Sequence, residues 1–172
     1  MKCKSVLVWV VLALLVVPMM VPGSALARAT RVEFTGSEVP VGLVDEGIWT
    51  FLPGGNVHVR GMATVYQELA TDPRMSGLNT AVMNANWGPD FAGPMWGTSE
   101  SVLSDSADCP GGGAWKGSWT GMMNVDGSYS YRAVGRGVSG CVTGLHFSLV
   151  AQSPGGDALT TFTGEILDPH GE

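Results

Sequence analysis

Segment 57–68 carries the densest run of side chains able to do chemistry. As an extended strand it places His58, Arg60, Met62, Thr64, Tyr66 and Glu68 on one face and Val57, Val59, Gly61, Ala63, Val65 and Gln67 on the other. Turned into a cavity, the even face offers Tyr66 as an acid, Glu68 as a base and Arg60 as an anion clamp. Turned to water, it is a solvated row backing an apolar core face, and the alternation favours this second arrangement. Arg74 is a further catalytic candidate, able to hold a substrate carboxylate. In Asp72-Pro73-Arg74, however, the commoner use of such residues is a turn that Asp72 caps, with Arg74 paired to a nearby acid. Glu165, near Thr161 and Thr163, is either a lumen carboxylate or, more simply, an exposed edge charge.

Other reactive types are sparse. His58, His146 and His170 are scattered, and no Cys/His spacing fits zinc, so neither a metal nor a cofactor is expected. His146, between Gly144 and Ser148 on a mixed face, reads as structural or solvated. There is no P-loop, no GxGxxG after a strand and no G-x-S-x-G. Trp87, Trp96, Trp115, Trp119, Tyr129 and Tyr131 concentrate in the middle of the chain, with Met62, Met83, Met95, Met122 and Met123. Gathered on one face, Trp96, Trp115, Trp119, Tyr129 and Tyr131 would wall an apolar ligand cavity lined with adaptable thioethers. Packed against one another they are simply core.

The elements that position these residues read as strands. After Arg28 no stretch is convincingly helical, and Gly or Pro punctuates runs of Val, Thr, Trp, Tyr and Phe. The pattern predicts strands at 31–36, 47–52, 56–69, 78–87, 94–103, 114–124, 128–139, 144–152 and 158–167. Short links at Pro53-Gly54-Gly55-Asn56, Thr71-Asp72-Pro73-Arg74, Gly88-Pro89-Asp90, Val125-Asp126-Gly127-Ser128 and Ser153-Pro154-Gly155-Gly156-Asp157 make neighbours antiparallel. Around Asp126 the arms alternate large and small. One face carries Trp115, Gly117, Trp119, Gly121 and Met123, the other arm Tyr129, Tyr131, Ala133, Gly135 and Gly137. Such alternation suits the inside of a tightly curved sheet.

The expected fold is all-β: an antiparallel up-and-down β-barrel of about eight strands, with a two-sheet β-sandwich as the alternative. Pairing about a 125–126 midpoint brings position 110 opposite 141, so Cys109 and Cys141 meet at the open end of that hairpin. An oxidising compartment favours a disulfide there, worth about 3–4 kcal/mol by loop-closure entropy.

That compartment follows from the start of the chain. Lys2 and Lys4, an apolar run over 6–21 broken by Pro18, and Ala25-Leu26-Ala27 have the layout of a signal peptide over 1–27, leaving 28–172 as a single barrel domain. The protein is therefore expected to be secreted or periplasmic, with no membrane span after cleavage. Among 172 residues, 9 are basic and 15 acidic, and loss of Lys2 and Lys4 makes the remainder more acidic still. Nucleic acid is thereby excluded as a partner. With 45% hydrophobic residues and only 14% charged, the chain is not disordered.

Several segments carry a family likeness. Asp72-Pro73-Arg74-Met75-Ser76-Gly77 is followed by Gly93-Pro94-Met95-Trp96-Gly97-Thr98 and then by Gly113-Ala114-Trp115-Lys116-Gly117-Ser118-Trp119-Thr120-Gly121. Gly135-Arg136-Gly137-Val138-Ser139-Gly140, Gly144-Leu145-His146-Phe147 and Phe162-Thr163-Gly164-Glu165-Ile166 complete the order. The series resembles exported, uncharacterised bacterial proteins of the allene oxide cyclase and dirigent-like (calycin-like) class. The resemblance implies an eight-stranded barrel with an apolar lumen. Its better-known members close a ring in an oxidised fatty acid or steer the coupling of phenolic radicals. No catalytic residue of the class matches a specific position here.

Three functions compete. The favoured one is a barrel binding a small apolar or aromatic molecule. The second is a cyclase- or isomerase-type enzyme, which requires a buried ionisable group beside the cavity. The third is a filled barrel with a structural or interaction role, for which a homo-oligomer offers the natural contact.

Overall fold

The computed structural model describes residues 29–155, 158–169 and 171. The segment 1–27, read above as a signal peptide, lies outside the described residues, as does His170. Among the described residues nine strands run in chain order: β1 (Thr30–Asp45), β2 (Ile48–Phe51), β3 (Val57–Ala70), β4 (Gly77–Trp87), β5 (Gly93–Leu103), β6 (Gly113–Met123), β7 (Tyr129–Gly140), β8 (His146–Ser153) and β9 (Thr160–Asp168). A 3₁₀ turn, Pro73–Met75, joins β3 to β4.

All neighbours are antiparallel. The first half of β1 pairs with β9 (Thr30↔Asp168 to Glu38↔Thr160). Its second half pairs with β3 (Gly36↔Ala70 to Asp45↔Ala63), and this double pairing closes eight strands into a barrel. β2 is the extra strand, continuing along β3 where β1 stops. The barrel expectation therefore holds and the sandwich alternative does not.

The first strand was expected over 31–36 but extends to Asp45. Pro40 and Gly42 look like breakers. Beyond Glu38, however, β1 has a partner on one side only, and an edge tolerates a residue without an N–H.

Aromatic rings and glycines complement one another across the ladders. Phe34 faces Gly164, Phe162 faces Gly36, Phe147 faces Gly135, Tyr131 faces Gly121 and Trp119 faces Gly97, each as a direct cross-strand pair. A Cβ on Gly135 or Gly36 would strike the ring opposite. The glycines thus make room for rings inside a narrow barrel, as the large–small alternation predicted.

Two apolar clusters close the ends. Phe34, Met75, Leu103, Trp115, Val142, Phe147, Phe162 and Ile166 pack at the end that carries the 3₁₀ turn. There Trp115 stacks edge-on against Phe147 at 5.2 Å and donates its indole N–H to the Arg74 carbonyl at 2.7 Å. Val57, Val59, Ala85, Trp87 and Met95 pack at the other.

Cys109 and Cys141 form a disulfide with Cα atoms 5.2 Å apart, buried in the first cluster. The hairpin register differs slightly from expectation. Asn124 and Ser128 bracket a three-residue loop with Gly127 at φ 81°, so Met123 faces Tyr129 and the centre moves to Asp126. The ladder ends at Gly113↔Gly140, and the disulfide ties the loop before β6 to the turn after β7. Among the described residues no helix is long and apolar enough to cross a membrane.

Candidate functional site

The centre of the lumen, between the two clusters, holds a cavity of about 220 Å³. Met62, Met83, Met95, Met123, Trp87, Trp119, Tyr129, Phe147 and Leu149 supply most of its apolar wall. A polar belt crosses it: Glu38 from β1, Tyr66 and Glu68 from β3, Asn79 from β4, Ser101 from β5 and Tyr131 from β7.

Gly61 explains how Tyr66 and Glu68 come to face inward. β3 opens with Val57 and Val59 buried, in phase with the odd face expected to be core. Between Val59 and Met62 the ladder to β4 slips, with Gly61 at φ 73° and three β3 steps opposite two on β4. A bulge of this kind inserts one residue and exchanges the faces. Downstream, Met62, Tyr66 and Glu68 line the lumen, while upstream Arg60 remains outside. The strict alternation assumed from sequence, with the whole even face in water, is therefore corrected at Gly61. Arg60 reaches the carbonyl oxygens of Val59 and Ala85 and Asn86 Oδ1, each at 2.7 Å, and lies 5.3 Å from the Trp96 ring centroid on the outer surface.

Glu38 and Glu68 are direct cross-strand partners and are almost fully buried, at 5% and 6% exposure. Glu68 Oε1 accepts from Asn79 Nδ2 at 2.8 Å and Oε2 from Ser101 Oγ at 3.4 Å. Burial pushes the Glu68 carboxyl up to about 8, helped by the neighbouring Glu38 charge and opposed by those two donors. Burial likewise raises Glu38 to about 7, against the lowering effect of a hydrogen bond donated by Tyr131. Tyr66 rises to about 12, through burial first and then the charges of Tyr129 and Glu38. Tyr131 is also held well above its ordinary value by burial and by Glu38. Near neutrality the belt is thus a set of protonated or half-protonated acids in an apolar shell. Tyr129 shares a 2.7 Å hydrogen bond with Thr160. Three buried polar atoms on the cavity's lining residues lack any partner: Asn79 Oδ1 and the indole N–H groups of Trp87 and Trp119.

The other sequence candidates scatter. Arg74 lies in the 3₁₀ turn, where Nε and Nη2 bind Asp72 Oδ1 and Oδ2 at 3.0 and 2.7 Å and the Arg74 backbone N–H donates to the same carboxylate. This is the structural turn described above, outside the lumen. Glu165 takes both oxygens to Arg31 Nη1 at 2.8 and 2.9 Å on the outer surface. Of the aromatic candidates, Trp119, Tyr129 and Tyr131 line the cavity, Trp115 is buried in the end cluster and Trp96 is on the outer face.

Glu38, Asn79 and Ser101 escaped the sequence reading. Glu38 fell in the gap between two expected strands, although Phe34, Gly36 and Glu38 continue one alternation. Among the described residues no group of three or more His, Cys, Asp or Glu side chains could hold a metal ion. No family model, no curated protein and no solved structure matches the chain.

Proposed function

We propose that this protein is an exported barrel that binds a small, mainly apolar or aromatic molecule in its lumen. The observation that carries this reading is the cavity itself: Trp, Tyr and Met walls around one polar belt. Its volume is below the roughly 300–1,000 Å³ of drug-sized pockets, which points to a compact ligand. The buried disulfide is compatible with a secreted or periplasmic protein. The likeness to the allene oxide cyclase and dirigent class is part of the proposal. It is supported by the eight-stranded closure and the largely apolar lumen, and no activity is carried over with it.

One observation favours a second reading, an acid–base enzyme of the cyclase or isomerase type. Buried carboxyls raised toward neutrality beside a cavity are what such chemistry uses. Of the three catalytic candidates only Glu68 borders the cavity, and Glu38 joins it. A homo-oligomer remains part of the proposal because Leu69, Leu78 and Val102 are exposed on adjoining strands β3, β4 and β5.

Native followed by denaturing mass spectrometry of the purified protein tests the binding reading. A bound small molecule released on denaturation supports it. A bare protein that also takes up no apolar fluorescent probe refutes it. If the identified molecule is converted by wild type but not by Glu68→Gln, the enzyme reading takes precedence.

A further inference from the structure

The lumen contains two acids and no base. Among the described residues no Lys, Arg or His lines the cavity, and each nearby cation is engaged elsewhere or faces outward. Arg60 is held on the outer surface by Val59, Ala85 and Asn86, and Arg74 is held by Asp72. Lys116, Arg132 and Arg136 are exposed on the outside of β6 and β7. A buried carboxylate normally has a countercharge or is not ionised. Two of them, set directly across a ladder, make a site suited to one positive charge, and among the described residues no cation pairs with them.

A second, independent observation marks the same place. Asn79 is more than nine-tenths buried and lines the cavity. Its amide donates to Glu68, while its Oδ1 has no partner. A buried acceptor left without a donor is destabilising, so an occupant that supplies one is favoured. Glu38, Glu68 and Asn79 Oδ1 together make three acceptors, and a primary ammonium has three N–H donors. The rings of Trp119 and Tyr131, with centroids 5.8 Å apart, and of Tyr129 line the same cavity. Aromatic faces attract a cation and pack an apolar body equally well.

We infer that the occupant is a small organic amine: a protonated ammonium between Glu38, Glu68 and Asn79, on an aromatic or aliphatic body that fills the Trp- and Met-walled part of the lumen. This rests on the binding reading above and specifies its ligand class. Binding releases protons from the carboxyl pair, because the ammonium favours their ionised forms. The groups facing the pair are Tyr66 from β3, Asn79 from β4, Ser101 from β5, Tyr129 and Tyr131 from β7 and Thr160 from β9. Burial holds the Tyr66 and Tyr131 hydroxyls above their ordinary range, so affinity for an amine follows the two carboxyls and rises with pH until both are ionised.

The experiment compares three probes that share a phenylethyl body, 2-phenylethylamine, 2-phenylethanol and 3-phenylpropionate, by titration calorimetry on wild type, Glu38→Gln and Glu68→Gln. At about pH 8 the amine should bind wild type at least about tenfold more tightly than the alcohol, as charge-assisted hydrogen bonds require. The advantage should shrink by about pH 5, where the carboxyls are protonated. Each Gln variant should lose about tenfold for the amine and leave the alcohol nearly unchanged. Should the variants not fold, the wild-type pH profile alone decides. Equal binding of amine and alcohol at high pH, preference for the carboxylate, or a response to calcium ion in place of the amine overturns the amine assignment and leaves the binding barrel standing. If no probe binds and no apolar dye enters, both readings fall.

Discussion

Glu68→Gln should remove the larger part of the pH dependence of stability. In water the carboxyl titrates near 4.5, and in the lumen burial and Glu38 push it to about 8. At about 1.4 kcal/mol per pH unit, ionising Glu68 inside the barrel costs about 5 kcal/mol more than in the unfolded chain. Glu38, moved from 4.5 to about 7, adds about 3 kcal/mol. Below about pH 4.5 both are protonated in both states and the cost is absent. As pH rises, the unfolded chain gives up protons that the folded one keeps, so stability falls between about pH 4.5 and 8 and is flat above. The loss is comparable with the roughly 5–15 kcal/mol that holds a whole domain together. Asp72 and Asp126 have lowered pKa values and act the opposite way. Their contributions are lost only as pH falls below the ordinary carboxyl range, outside this window.

Urea unfolding followed by tryptophan fluorescence at about pH 4.5, 6, 7 and 8 reads the effect. Wild type should lose stability steadily across the series. Glu68→Gln, which keeps the shape and cannot ionise, should match wild type within about 1 kcal/mol at the acid end and exceed it by several kcal/mol at the alkaline end. A wild-type stability that is flat or rises from pH 5 to 8 would refute the burial argument. So would a variant whose slope equals that of wild type.

Other perturbations have distinct expected outcomes. Replacing both Cys109 and Cys141 by Ala should cost about 4 kcal/mol, from the entropy of a loop spanning 32 residues, read as a lower urea midpoint under non-reducing conditions. Gly61→Ala meets no neighbour, yet it forces a left-handed backbone on a residue with a Cβ. It should lower stability by about 1–2 kcal/mol and weaken lumen binding in the same titrations. Gly97→Ala should be far worse, because its Cβ would collide with the Val82 carbonyl oxygen, and loss of folded protein on expression is the readout. Glu165→Gln breaks only an outer ion pair with Arg31. It should change the urea midpoint by less than about 1 kcal/mol and leave binding in the lumen intact.

The strand count and the closure were legible because they depend on local chemistry. β-branched and aromatic runs cut by Gly and Pro are read one segment at a time, and observed strand ends fall close to the expected ones from β2 onward. The lumen faces of β6 and β7 were legible for a related reason. Trp115, Trp119 and Met123 alternate with glycines, and only an inward face needs that alternation. The register error was small because Asp126-Gly127 fixes a turn but not its length, and the three-residue loop moved the centre of the hairpin.

The polar belt was illegible because around it the barrel inverts the usual rule. Glu38 is buried while Val39 is 40% exposed, and Glu68 is buried while Leu69 is 62% exposed. On the next strands Asn79 is buried beside an exposed Leu78, and Ser101 beside an exposed Val102. Hydropathy applied to any of these strands alone assigns the wrong face, as it did for β3. The inversion runs across four adjoining strands, β1, β3, β4 and β5, at one level of the barrel. One such position would be an irregularity of packing. Four on neighbouring strands, Glu38 opposite Glu68 and Asn79 opposite Ser101, place two acids, an amide and a hydroxyl around one cavity, at the cost in stability worked out above. Places where local preference and the fold disagree are where function is to be sought. Gly61 is what brings β3 into this arrangement, since without its extra residue Glu68 would point to water and Glu38 would face the lumen alone.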